Sequence, residues 1–174
     1  MNIQDVILGF IYEEPMSGYD IKQMMENSVS YFFDASYGAI YPALRKMEKE
    51  GLVEKQVILQ EGKPNKNLFA ITESGKEQFQ QYLSSPITPT ITRSDVLIRI
   101  FFGRFTTKEK IQEWLLEERE KSQAMYDNLI GIADLYPDME PHKRFTLEFG
   151  IRQAEMILGM VNEELKKLNE QQGE

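Results

Sequence analysis

The chain has no cysteine and a single histidine, His142. That removes disulfides, thiol redox chemistry and thiolate metal sites, and leaves no ligand set for a zinc or copper centre. No apolar run approaches the roughly 18 residues that a membrane span requires. The opening "MNIQDVILGFIYEEP" is acidic rather than basic and has no small-residue cleavage site, so no secretory leader is expected. No glycine-rich phosphate loop and no nucleophile–base spacing stand out, which leaves catalysis without candidate residues. What survives is a cytoplasmic protein, not an enzyme, with no metal, no cofactor and no membrane partner.

What is present is an ordinary soluble composition. With 41% hydrophobic and 28% charged residues over 174 positions, the chain can build one modest core or two small ones. Its formal charge of −8 argues at first against nucleic acid as a partner. Charge matters locally, however. Between Ser36 and Lys76 the seven basic groups Arg45, Lys46, Lys49, Lys55, Lys63, Lys66 and Lys76 outnumber five acidic ones, Glu48, Glu50, Glu54, Glu61 and Glu73. That segment is +2 and the remainder is −10.

The spacing of Ile3, Val6, Ile7, Phe10 and Ile11 predicts a first helix ending before "EEP". A second starts at Ser17, with Asp20 at the capping-box position. A third spans "SYGAIYPALRKMEKEGLVE" and stops at Gly51. The β-prone runs "LVEKQVIL" and "NLFAI" flank "QEGKPNK", which reads as a hairpin with a long loop, and a fourth helix follows from Thr72 to about Leu83. "SSPITPTITR" breaks the pattern with two prolines. The expected organisation is therefore a domain over 1–83, a linker over 84–93 and an all-helical domain over 94–174. In the latter, a short apolar "SDVLIRIFFG" precedes a long helix capped by Thr106 with Glu109 and ending near Asp134. After "YPDMEPHK" a last helix runs from about Lys143 to Lys167.

The third helix begins awkwardly, with Gly38 and Pro42 in its first turns. At about 100° per residue, Ile40, Leu44 and Met47 share the core face, with Leu52 covering its end just past the glycine stop. Gly38, Pro42, Arg45 and Lys49 fall on the opposite side, flanked by Tyr41 and Lys46. A helix entering a DNA major groove presents this end to base edges and its flanks to phosphates. Gly38 permits close backbone approach, Pro42 offers a compact apolar surface, and Ser36 is the natural N-cap of a turn whose amides suit a phosphate. The plainer alternative is a solvated face in which glycine and proline only set the entry angle. Three helices, a hairpin and a further helix form the order of a winged helix-turn-helix, with Lys63, Asn65 and Lys66 at the wing tip. Basic residues at both places favour DNA.

"ILGFIYEEPMSGYDIKQMME", "SYGAIYPALRKMEKEGLV" and "GKPNKNLFAITESGKEQF" resemble the three consecutive signature blocks of PadR-family transcriptional regulators. Gly38, Tyr41, Pro42, Leu44, Glu48, Gly51 and Leu52 carry the likeness, as does "FAITESGK". "VLIRIFFG" and the long helices with Trp114 are similar to the larger, two-domain branch. The resemblance implies a mainly α fold with a small β-hairpin wing, in which a winged helix-turn-helix precedes a C-terminal helical dimerisation domain. It also implies a homodimer that represses transcription and releases double-stranded operator DNA on binding a small aromatic or hydrophobic effector. By the same resemblance Ser36, Tyr37 and Tyr41 would engage phosphates or bases, with Arg45 beside them and Lys63 and Lys66 in the wing. The wing departs from relatives that often carry arginines there.

The last helix points to oligomerisation on its own terms. Leu147, Ile151, Ala154, Leu158, Val161, Leu165 and Leu168 alternate four- and three-residue steps, a heptad-like seam, expected here to be the dimer interface. Phe145, Phe149, Met156 and Met160 form a second stripe. Two apolar stripes require two partners: the long preceding helix and a second subunit, unless the chain sandwiches its own last helix. A dimer would place two recognition helices about 34 Å apart on a near-palindromic operator. Phe101, Phe102, Trp114, Phe149, Met156 and Met160 are the candidate effector pocket, against the alternative that such stripes are plain core. The competing function is a winged-helix adaptor that contacts only proteins.

Overall fold

Asn2 starts the first helix. Its side chain accepts hydrogen bonds from the amides of Gln4 and Asp5 while its own N–H donates to Asp5 Oδ2 at 2.7 Å, a capping box ahead of α1 (Ile3–Phe10). The computed structural model describes residues 2–33, 37–58 and 65–170. A second box opens α2 (Gly18–Ser28): Ser17 Oγ accepts from Asp20 N–H, and the Ser17 amide and hydroxyl both donate to the Asp20 carboxylate, at 3.0 and 2.8 Å. The expected Ser17–Asp20 pair is thus in place.

The chain divides into two compact units, Met1–Thr90 and Ile91–Glu174. In the first, α3 (Ile40–Lys49) follows a single 3-10 turn at Tyr37–Ala39, so the α-helix starts later than the sequence suggests, and among the described residues no side chain caps it. Ser36, expected as its cap, lies outside the described residues. Pro42 becomes the third helical residue, where its missing N–H is one of the amides without an intrahelical acceptor in any case. At the other end Gly51 adopts φ +73°, its amide donates to Glu48 O at 3.1 Å, and the Leu52 amide donates to Met47 O at 2.9 Å. This pair of bonds is a Schellman stop, with Leu52 and Met47 buried in the same cluster.

Past that stop, β2 (Val53–Ile58) and β3 (Lys66–Ile71) pair antiparallel, Lys55 opposite Phe69. A two-residue strand β1 (Met16–Ser17), absent from the sequence reading, adds to the free edge of β3 with Met16 opposite Phe69. Thr72 then caps α4 (Glu73–Ser84), accepting from the Gly75 amide and donating its hydroxyl to Gly51 O at 2.7 Å. The core behind these elements gathers Ile7 and Leu8 from α1 and Ile11 just past it, Ile21 and Met25 from α2, and Ile40, Leu44 and Met47 from α3, closed by Val53 and Phe69.

The second unit is helical. α5 (Asp95–Phe101) is capped by Ser94 and buries none of its residues. α6 (Lys108–Leu135) is capped by Thr107, not Thr106: the Thr107 hydroxyl accepts from the Lys110 amide. α7 (Pro141–Glu170) begins at Pro141 because proline suits the first helical position, so the breaking segment is shorter than expected. α6 and α7 form an antiparallel hairpin, with Gln112 near the start of one donating to Asn169 near the end of the other. Among the described residues no helix is long and apolar enough to cross a membrane.

Candidate nucleic-acid interface

The amphipathic pattern of α3 resolves as its sequence implies. Ile40, Ala43, Leu44 and Met47 are buried, whereas Gly38, Tyr41, Pro42, Arg45, Lys46 and Lys49 are all exposed. The outward row therefore runs from the 3-10 turn to the last residue of α3. Lys46 pairs with Glu50 at 3.7 Å, one turn on. Arg45 and Lys49 make no ion pair or side-chain hydrogen bond with other described residues, so their charge is available to an outside anion. Tyr41 lies against α2: the ring covers Gly18, and its hydroxyl has no hydrogen-bond partner among the described residues.

The wing is more constrained than its sequence suggests. Lys63 lies outside the described residues, as do Ser36 and the side chain of Tyr37. Asn65 is exposed. Lys66 opens β3 opposite Ile58, and its ammonium stands 2.9 Å from Asp20 Oδ2. Burial alone would raise the Asp20 carboxyl pKa, but the hydrogen bonds from Lys66 and from the Ser17 amide and hydroxyl, with the Lys66 charge, bring it below its ordinary value. A group expected to meet DNA from the wing thus already has a carboxylate partner. Neither this pair nor the Gly18–Tyr41 contact was anticipated; both need the packing of α2 against its neighbours.

The structure gives the α7 seam a different role from the expected one. Leu147, Ala154, Val161 and Leu165 are buried inside the single chain, and Ile151 and Leu158 are half-buried. Val161 and Leu165 cluster with Leu115 of α6, and Ile157 and Leu168 pack around them. The physical reason lies in side-chain size: Ala154 and Gly150 on α7 and Ser122 on α6 are all buried, and small residues let two long helices approach. The seam is thereby occupied by α6, and the stripe left open is the other one. Phe145, Phe149, Met156 and Met160 are 72%, 56%, 57% and 65% exposed.

The residues expected to line an effector pocket do not enclose one. Phe101 and Phe102 meet edge to face at 5.0 Å but are both exposed, like Phe149, Met156 and Met160. Trp114 borders a groove that is polar, lined also by Asp95, Arg99, Lys110, Glu113 and Lys121. The Arg99 guanidinium lies 5.3 Å from the indole centroid and its Nε 2.5 Å from Asp95. Trp114 apart, the six side chains stand exposed, Phe101 at the end of α5 and Phe102 just past it, so their burial awaits something other than the single chain.

A helix-turn-helix with an outward basic row, a hairpin beside it and a separate helical unit defines the winged-helix class of transcription regulators. Comparison with known proteins agrees. Residues 7–81 match the family model "Transcriptional regulator PadR-like family", and residues 92–169 match "Virulence activator alpha C-term". A PadR-like transcriptional regulator of Bacillus cereus is 31% identical, with 97% of this chain and 98% of that one aligned at a TM-score of 0.88. The negative transcriptional regulator PadR of Bacillus subtilis is 26% identical over 147 residues, 83% of this chain and 80% of that protein. Its structure in complex with operator DNA covers 95% of this chain and 97% of that one, at 20% identity and a TM-score of 0.82. Its structure in complex with p-coumaric acid covers 96% and 98%, at 19% identity and 0.73. The chain belongs to the PadR-like family of transcriptional regulators, and is not an enzyme.

Proposed function

We propose that this regulator is a cytoplasmic repressor that binds a near-palindromic operator as a homodimer and leaves it when a small aromatic or hydrophobic molecule binds. The observation that carries the DNA reading is the exposed row of Gly38, before α3, with Tyr41, Pro42, Arg45 and Lys49 on it, the last two unpaired among the described residues. Ser36, Tyr37, Lys46, Lys63, Asn65 and Lys66 are proposed to complete the contact. The B. subtilis relative, solved with operator DNA and described as a negative regulator, supports both the partner and the sign of control.

The homodimer is proposed to form through the open stripe of α7 rather than through the seam. Burying a Phe or Met side chain from water contributes about 1.5–3 kcal/mol, and four such residues on one helix face favour a second copy. The effector is proposed to meet the exposed aromatic and methionine side chains of α5 and α7 in that assembly; the relative solved with p-coumaric acid supports an aromatic acid.

Fluorescence anisotropy with the DNA upstream of the chain's own gene, against scrambled DNA at two salt concentrations, tests the reading. Saturable binding well above the scrambled control is expected. No binding even at low salt would overturn it and leave the protein–protein adaptor, consistent with a net charge of −8.

A further inference from the structure

Gly18 is the first residue of α2 and is buried. Its φ is not positive, since among the described residues Gly51 alone has that conformation. An L-residue could therefore adopt the Gly18 backbone without strain, and position N1 makes no demand for glycine. Space makes the demand. A Cβ built at Gly18 would stand 2.7 Å from Tyr41 Cε1, 2.9 Å from Cζ and 3.2 Å from the hydroxyl oxygen, and these are its three nearest neighbours. The missing side chain is the seat of the Tyr41 ring.

The seated ring is not core. Tyr41 remains 53% exposed, on the outward face of α3 between Gly38 and Arg45, and its hydroxyl has no partner among the described residues. A tyrosine held at one edge, with an open donor at its tip, is preorganised to donate to an external acceptor, and preorganisation reduces the ordering cost of binding. A freely rotating tyrosine would lose that advantage.

We propose that Gly18 is a positioning residue for DNA recognition: its bare Cα fixes the ring of Tyr41 so that the hydroxyl meets an operator phosphate oxygen. The inference rests on the DNA reading above. Gly18 itself touches no DNA and acts through Tyr41.

The test uses the full chain with Gly18→Ala, Tyr41→Ala and the double substitution, each measured by anisotropy on upstream and scrambled DNA and by thermal melting. Gly18→Ala is expected to weaken operator binding roughly tenfold, the scale of one hydrogen bond to a charged group. In the Tyr41→Ala background, where the ring is gone, Gly18→Ala is expected to cost no further affinity. Should Gly18→Ala alone unfold the protein, the double variant is expected to refold, because the ring is the obstruction. The proposal is overturned if Gly18→Ala binds the operator as wild type does, if its effect persists undiminished without the ring, or if the double variant stays unfolded. Wild-type protein that does not distinguish its upstream DNA from scrambled DNA would overturn the DNA reading and this inference together, an outcome distinct from the other three.

Discussion

The Asp20 carboxylate closes the cap of α2 and, 2.9 Å away, holds the ammonium of Lys66 at the start of β3. One carboxylate thus ties the helix-turn-helix to the wing. Its pKa is depressed in the fold: burial opposes the shift, and the hydrogen bonds from Lys66 and Ser17 outweigh it. A carboxyl depressed by folding adds stability above its unfolded value, about pH 4. That contribution is lost as pH falls through the depressed value. Asp20→Asn should therefore melt below wild type at neutral pH, and the gap should close below about pH 4. The pair is half-exposed, so the gap should be modest and should shrink with salt. A gap constant from pH 7 to pH 3 would refute the linkage.

Arg45 and Lys66 should fail differently. Arg45→Ala is expected to cost about 1–3 kcal/mol on the operator and little on scrambled DNA, as for a base-reading side chain. Lys66→Ala should weaken binding to all sequences and lower the salt slope by about one. Anisotropy over a salt series separates the two; identical profiles for the two variants would show that α3 and the wing have no such division of labour.

The two stripes of α7 predict opposite defects. Phe149→Glu with Met160→Glu should convert a dimer to a folded monomer in light scattering, since both side chains are exposed in the single chain. Leu165→Ala should instead lower the stability of the helical unit by about 2–5 kcal/mol, because it opens a cavity against Leu115. If the double glutamate variant still dimerises with wild-type strength, the interface lies elsewhere.

Glycines in helices also diverge. A Cβ at Gly75 would stand 2.2 Å from Leu52 O and 2.8 Å from Ile71 Cγ1, so Gly75→Ala should destabilise by about 1–3 kcal/mol despite alanine's helix propensity. Gly131, in α6, faces open space, and Gly131→Ala should stabilise by about 0.5–1 kcal/mol. Chemical denaturation of the two variants tests the pair of signs.

Trp114 is the only tryptophan, so its emission reports on the groove beside Arg99. An effector bound near α5 is expected to shift or quench it; a flat response across a panel of aromatic acids and hydrophobic drugs would count against that site.

Much of the first unit is legible in the sequence. Ser17 with Asp20, Thr72 ahead of α4, and Gly51 with Leu52 are devices whose bonds run over three to five residues, so local chemistry is enough to place them. The outward row of α3 follows from helical periodicity alone. The capping-box spacing favours Thr106 with Glu109, and with two adjacent hydroxyls it is the backbone that makes Thr107 the cap instead.

By itself, then, the sequence determined the order of helices and hairpin, the stops at Gly51 and around the prolines of the linker, and which side of α3 turns away from the core. Tertiary structure alone decided which stripe of α7 meets α6, where Lys66 finds Asp20, how β1 joins the edge of β3, and that Gly18 makes room for Tyr41. Periodicity says that a face is apolar but not which apolar face it meets. That choice depends on side-chain volume across two elements distant in sequence, as Ser122, Gly150 and Ala154 show by letting α6 and α7 close on the seam.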